Sequence, residues 1–203
     1  FEAYHNLDKD AGLDTQKIMG NIVFRNVEFN YPDATVPTLK NLNLQIRAGT
    51  KVAIVGRTGT GKSTIVNLIP RLFEPTKGEI LLDGIPLNDY SKRSLRDCLG
   101  FVPQDHFLFS DTIEENIGFG IKGATTEDVE WAASKAQVLD NILDFDKKFK
   151  TILGEKGITL SGGQKQRTAI ARAFIKKPKI LILDDALSAV DTKTEDAILN
   201  SLR

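Results

Sequence analysis

Apolar and polar positions alternate with period two over Val27, Phe29 and Tyr31 against Glu28 and Asn30, and again over Leu42, Leu44 and Ile46 against Asn43, Gln45 and Arg47. That spacing predicts two half-buried antiparallel strands. They lead into Val52, Ile54 and Val55, where a β-branched run from Thr50 predicts a buried strand. The period then changes: Ile65, Val66, Leu68 and Ile69 recur at helical spacing, and Pro70 marks where that helix frays or kinks. A short strand over Glu79 to Leu82 ends in the Asp83-Gly84 turn. Ser91 is a suitable N-cap for a helix through Leu99, with Gly100 as its stop. Phe101, Val102 and Pro103 make a brief strand with Gln104 at its carboxyl end. Thr125 or Thr126 caps a helix whose stripe of Val129, Ala132, Ala133, Ala136, Leu139 and Leu143 is core packing. A further helix begins at Ser161, turns Ile170, Ala173 and Phe174 inward and stops before Pro178; the apolar strand Ile180 to Leu183 follows. Residues 1–20 are polar with little periodicity and read as a linker.

Between the predicted buried strand and the first helix lies a glycine-rich loop. Gly56, Arg57, Thr58, Gly59, Thr60, Gly61, Lys62 and Ser63 fit G-x-x-x-x-G-K-[ST] in the strand-loop-helix context that the pattern needs. Glycines at 56, 59 and 61 allow positive φ and close approach, so successive N–H groups converge on an anion at the positive end of a helix. Lys62 adds a charge for β/γ-phosphates and Ser63 a hydroxyl for Mg²⁺. The dinucleotide fingerprint fails, because Thr64 stands where its third glycine belongs.

Composition narrows the classes. The 203 residues are 41% hydrophobic, enough for a proper core, and 27 Lys+Arg balance 27 Asp+Glu, so no bulk basic field favours nucleic acid. Cys98 is the only cysteine, which excludes an internal disulfide and fits a small apolar residue in a reducing compartment. No apolar run approaches the roughly 20 residues of a bilayer span, and the domain itself is expected to be soluble. The chain is expected to be an excerpt of something longer.

Two further stretches carry chemistry. Leu160, Ser161, Gly162, Gly163 and Gln164 combine capping-box spacing with two glycines at a helix start, each costing about 1 kcal/mol relative to alanine. Bare amides at a positive dipole end suggest a second phosphate contact. At the end of the last apolar strand stand Asp184 and Asp185, pointed to opposite faces by strand alternation, the first suited to Mg²⁺ and the second to an attacking water. Gln104 is sited to reach Mg²⁺ or a water, or lies on the loop surface. Tyr31 is either a core aromatic or a purine platform. Phe107, Leu108, Phe109, Ile113, Ile117 and Phe119 form a cluster that is core or docking surface. Lys147, Lys148 and Lys150 read as a solvated face.

With the phosphate loop, the helix start at Ser161 and the acidic strand end in place, the chain resembles the nucleotide-binding domain of ATP-binding cassette (ABC) proteins from Ile22 onward. The resemblance implies an α/β fold: a P-loop NTPase (RecA-like) core, an N-terminal antiparallel β subdomain and an inserted α-helical subdomain over about 105–160, within a domain spanning 21–203. It implies Tyr31 as the A-loop aromatic that stacks on adenine and Gly56 to Thr64 as the Walker A region. Ser63, Gln104 and Asp184 would organise Mg²⁺, Lys62 would act on the phosphates, and residues 188–191 would be the D-loop. Ser161, Gly162, Gly163 and Gln164 would serve as the signature that meets ATP held by a second nucleotide-binding domain. Gly154, Glu155, Lys156 and Gly157 are similar to the exporter segment that senses the membrane domain, and the segment from Phe107 to Ile113 to the exporter region that receives coupling helices. The resemblance thus implies an exporter half with its transmembrane domain upstream, on the cytoplasmic face of the membrane. Soluble relatives in DNA repair place long arms between the nucleotide motifs, for which the stretch from Gln104 to Ser161 has no room. Two departures bear on mechanism. The family normally carries glutamate as general base where this chain has Asp185, and a carboxylate withdrawn by roughly a bond length can cost about 100-fold. The family's switch histidine falls beyond Arg203, and neither His5 nor His106 takes its place. An intact signature beside a weakened base suggests a heterodimer; a regulatory module that scarcely hydrolyses is the alternative.

Overall fold

A computed structural model describes residues 12–14, 18–32, 34–154 and 160–202. His5, Glu155, Lys156 and Gly157 therefore lie outside the described residues. The chain divides into two compact units, 1–99 and 100–203.

The first unit is built on a four-stranded sheet of order β2-β1-β3-β4, with β1 Ile22–Phe29, β2 Leu39–Ile46, β3 Lys77–Leu82 and β4 Ile85–Pro86. β1 runs antiparallel to both β2 and β3, pairing Phe24 with Leu44 and with Ile80. The predicted alternation holds: Ile22, Phe24, Val27 and Phe29 are buried, while Asn43, Gln45 and Arg47 face out. Tyr31 lies past the strand end. The register slips between Phe24 and Val27, where Asn26 takes φ 48° and Asn43 Oδ1 accepts from its N–H at 3.0 Å. Asparagine tolerates that left-handed backbone better than most residues. Helix α1 (Lys62–Leu68) stops before Pro70 as expected. Asp83 ties the β3–β4 turn to the incoming chain, accepting from the N–H groups of Met19 (2.6 Å), Gly20 (3.1 Å) and Asn21 (2.8 Å).

Two expectations in this unit are corrected. Residues 51–57 form no strand; Val52 and Val55 are 50% and 87% exposed. A β-branched run carries strand propensity, but a strand needs a ladder to satisfy its backbone, and residues 51–57 join none of the ladders of this unit. Helix α2 (Lys92–Asp97) does begin at its Ser91 cap, whose Oγ accepts from Ser94 N–H at 3.0 Å, but it ends at Cys98. Leu99 and Gly100 belong to β5 (Leu99–Val102) instead. A side chain on Gly100 would meet the Pro178 ring at 2.7 Å, so crowding, not helix termination, explains that glycine.

In the second unit β5 pairs with β6 (Ile180–Leu183). The ladder is carried past β6 by Asp184, whose N–H donates to Val102 O at 2.9 Å. Helices α3 (Ile113–Gly118), α4 (Thr126–Lys135), α5 (Leu139–Leu143), α6 (Gly162–Phe174) and α7 (Thr192–Ser201) complete it. The core gathers Ile113, Ile117, Val129, Ala132, Ala133, Ile142, Ile170, Phe174 and Ile198. α4 opens with a full capping box from Thr125 and Asp128. The expected stripe is buried from Val129 to Ala136, but Leu143 is 43% exposed. Gln137, at φ 56°, ends α4 and restarts the helical phase in α5, which takes Leu143 off the stripe. Lys147, Lys148 and Lys150 are exposed as expected. Among the described residues no helix is long and apolar enough to cross a membrane.

Candidate functional site

The phosphate loop is exposed from Gly56 to Thr60 and closes on buried Gly61. Gly61 is the N-cap of α1 at φ 88°, ψ 14°, with no side-chain cap. A Cβ there would be strained by the backbone and would press on Leu39 Cδ2 at 2.9 Å. Lys62 folds across the loop, its Nζ donating to the carbonyls of Gly56 (2.9 Å) and Arg57 (3.0 Å). Thr60 Oγ1 donates to Arg57 O at 2.8 Å, tightening the turn through Thr58 and Gly59. The result is an ammonium and a dipole end that, among the described residues, no carboxylate or capping side chain neutralises, which is the electrostatic demand of an anion site.

Tyr31 is tied to this loop. Its hydroxyl lies 3.2 Å from Oγ1 of buried Thr64, and its ring meets Phe29 and Phe73 edge-on at 4.9 and 5.3 Å between centroids. The ring is half-buried, so it packs on the core and still offers surface. Thr64, the last residue of the Walker A region that the resemblance implies, thus links the aromatic to the helix that follows the loop.

In the second unit the Asp184–Val102 bond sets the acidic pair beside the end of β5, two residues before exposed Gln104. Asp185 leaves the ladder with φ 51° and is exposed. Aspartate takes a left-handed backbone more readily than most residues, and positions of this kind gather at functional sites. Ser188 holds the turn, its hydroxyl donating to Asp185 O at 3.0 Å. Asp191 caps α7 by accepting from Thr194 N–H at 3.0 Å, and the Thr194 hydroxyl first, with that N–H after it, holds its pKa below 3.8.

The predicted capping box at the start of α6 is present: Ser161 Oγ accepts from Gln164 N–H at 3.3 Å and Gln164 Oε1 accepts from Ser161 N–H at 3.0 Å. The N–H of Gln164 is therefore taken, leaving the start to Gly162 and Gly163. Gly163 has a second reason to be glycine, because a Cβ would sit 2.8 Å from Ala189 O.

The apolar cluster divides. Ile113 and Ile117 are core, whereas Phe107 and Phe119 are 67% and 68% exposed. Phe109 joins them, with its ring centroid 5.1 Å from Phe107 and 4.7 Å from Phe119. The support beneath was not foreseen. Arg172 donates to Asn116 O (2.7 Å), Asn116 Oδ1 (2.8 Å) and Phe107 O (2.9 Å), with its guanidinium 5.2 Å from the Phe109 ring. Burial pulls its pKa down, and carbonyl oxygens in place of a carboxylate satisfy the charge.

For a metal the fit is one of donor chemistry. Among the described residues no three His, Cys, Asp or Glu side chains gather as a cage. The Ser63 hydroxyl, Gln104 amide and Asp184 carboxylate are hard oxygen donors of the kind Mg²⁺ accepts, since it takes few protein ligands and completes its shell with water and phosphate.

A family model described as "ABC transporter" matches residues 39–188. The chain is 46% identical over 193 residues to human ATP-binding cassette sub-family B member 5, covering 95% of this chain and 15% of that protein. It is 48% identical over 198 residues to a putative multidrug export ATP-binding/permease protein of Staphylococcus aureus, covering 96% of this chain and 34% of that protein. A solved bacterial Atm1-family ABC exporter with ATP bound matches with a TM-score of 0.86 and 42% identity over 100% of this chain and 37% of that one. The chain thus spans about a third or less of the lengths of these proteins. The mixed α/β architecture is that of the P-loop NTPase fold that the ABC resemblance implies, and the chain belongs to the ABC transporter family as an ATP-binding domain similar to those of exporters.

Proposed function

We propose that the chain is the ATP-hydrolysing motor domain of an exporter, working by ATP-dependent closure of two such domains on the cytoplasmic face of a membrane. The observation that carries it is the uncapped, left-handed start of α1 with Lys62 laid across its loop. Residues 56–64 bind the triphosphate, with Lys62 exchanging its carbonyl partners for β/γ-phosphate oxygens. Tyr31 stacks on adenine. Ser63, Gln104 and Asp184 hold Mg²⁺, which supplies charge neutralisation at the phosphates. Asp185 accepts the proton of the attacking water from a side chain one methylene shorter than the family's glutamate, so this site holds ATP long and hydrolyses it slowly. Ser161, Gly162, Gly163 and Gln164 serve ATP bound by the partner domain. An intact signature beside a weakened base favours a heterodimer. The exposed ring platform of Phe107, Phe109 and Phe119 supports docking of the transmembrane domain.

Single-turnover hydrolysis at this site in the assembled full-length transporter, with Asp185→Glu beside the wild type, tests the proposal. The rate is expected to rise by up to about 100-fold; an unaltered rate removes the weakened-base reading. Asp185 also favours a second reading, a regulatory ATP-binding module, which predicts negligible turnover in both proteins with nucleotide still bound.

A further inference from the structure

Helix α6 carries a primary amide where its periodicity calls for hydrocarbon. Gln166 shares the inward face with Ile170 and Ala173 and is only 4% exposed. Burying an amide is unfavourable unless its atoms are bonded, and both ends of this one are. Nε2 donates to Ser188 Oγ at 3.1 Å, and Oε1 accepts from Ala189 N–H at 2.9 Å. The Ser188 hydroxyl, having accepted from Gln166, donates to Asp185 O at 3.0 Å. The polarity is consistent along the relay, each group using its donor and acceptor once. It ends on a residue held at a left-handed φ of 51°. Three residues back along α6, Gly163 lets the Ala189 carbonyl come close enough that a side chain would collide with it.

We infer that Gln166 is a positioning residue for hydrolysis: through Ser188 it fixes the backbone of Asp185, and so the direction in which that carboxylate meets the attacking water. The inference rests on Asp185 acting as the base. Gln166, buried behind Ser188 and Ala189, acts on the backbone they hold and not on nucleotide or water. Losing it should slow the chemical step and leave ATP affinity alone.

The test uses the assembled full-length transporter containing this chain and measures single-turnover hydrolysis, ATP KM and thermal midpoint. Gln166→Leu keeps the side-chain size and removes both bonds. Gln166→Glu keeps the acceptor for Ala189 N–H but draws the Ser188 proton to itself, away from Asp185 O. Ser188→Ala cuts the relay at an exposed position. Each is expected to slow turnover about tenfold with KM within twofold, and Ser188→Ala on top of Gln166→Leu should add nothing. Rates within twofold of wild type, equal losses in KM and turnover, or losses that multiply in the double variant would overturn the inference. If Gln166→Leu lowers the thermal midpoint sharply, Ser188→Ala alone decides. A wild type without turnover removes the ATPase reading and this inference with it, whereas normal turnover in the variants of an active transporter removes the inference alone.

Discussion

Two helix beginnings in this chain look alike in sequence, glycine-rich and poised for an anion, yet they are built in opposite ways. α1 has seven residues, a left-handed glycine at its N-cap and no side chain closing it. α6 has thirteen, an extended serine cap and a complete capping box. Helices as short as α1 are marginal by themselves; it is held by Thr64 and Leu68 packed into the first unit and is left electrostatically incomplete. α6 is complete without a ligand and keeps in reserve the exposed start that its two glycines bare. Under the proposed function, the first is a site that a ligand finishes and the second a finished helix that lends its tip.

The difference is largest where Lys62 is concerned. Lys62→Ala takes from α1 the one full charge aimed across its loop, and removing a preorganised donor of this kind costs about 10²–10³ in turnover. Since among the described residues the ammonium bonds to loop carbonyls alone, the folded domain should melt within a few degrees of wild type. Single-turnover hydrolysis at this site of the assembled transporter and a thermal melt check both halves. A variant that retains a tenth of its rate would mean that the amides carry the triphosphate unaided.

Ligand protection sharpens the contrast. At ATP a hundred times its Kd, a site present in the folded state alone gains about 2.7 kcal/mol, or close to 100-fold. Amide exchange should therefore slow by up to that factor over residues 57–66 of the isolated domain, and only a few-fold at Gly162 and Gly163 until a second domain closes. Equal protection at both helix starts without dimerisation would erase the distinction drawn here.

How far these two starts could be read from the chain follows from what determines each. The loop from Gly56 to Ser63 and the Ser161–Gln164 capping box are local, fixed by residue type at fixed spacing, and both stand where the pattern put them. Val52 to Val55 misled because propensity is local and strand pairing is not. Gly100 misled because a glycine that ends a helix and one that lies under a proline ring look the same in one dimension. The Arg172–Asn116 hub joins residues 56 apart in sequence, beyond any periodic signal. Gln166 did leave a trace, as a polar residue at helical spacing from Ile170 and Ala173, where an apolar face calls for hydrocarbon.

A smaller effect separates the caps themselves. Ser161→Ala removes the acceptor for Gln164 N–H and should cost about 1 kcal/mol of stability in the second unit, read as loss of exchange protection along α6. The first turn of α1 has no such residue to lose, so alanine at exposed Thr60 should leave the stability of its unit within about 0.5 kcal/mol.

The smallest effect expected is on pH, and it falls on the unit that holds the bare helix. Burial pushes the Asp83 carboxyl up, but N–H bonds from Asn21 and Gly20, the Asn21 side chain and Met19 together outweigh it and leave the pKa below 3.8. A carboxylate whose folded pKa is depressed contributes stability above its unfolded value and loses it as pH falls through the folded one. The window thus lies at and below pH 3.8. Asp83→Asn should weaken the strap over residues 18–21 at neutral pH and flatten the acid response of β1 and β3, because no charge remains there to titrate. In the second unit Asp128 and Asp191, held low first by the Thr125 and Thr194 hydroxyls, should keep their own acid response unchanged by that substitution. Trp131, the chain's single tryptophan, reports that unit by fluorescence, while amide exchange in β1 reports the first. If Asp83→Asn shifted both signals together in acid, the units would be melting as one, and the contrast between an open and a finished helix start would have to be drawn across a single cooperative fold.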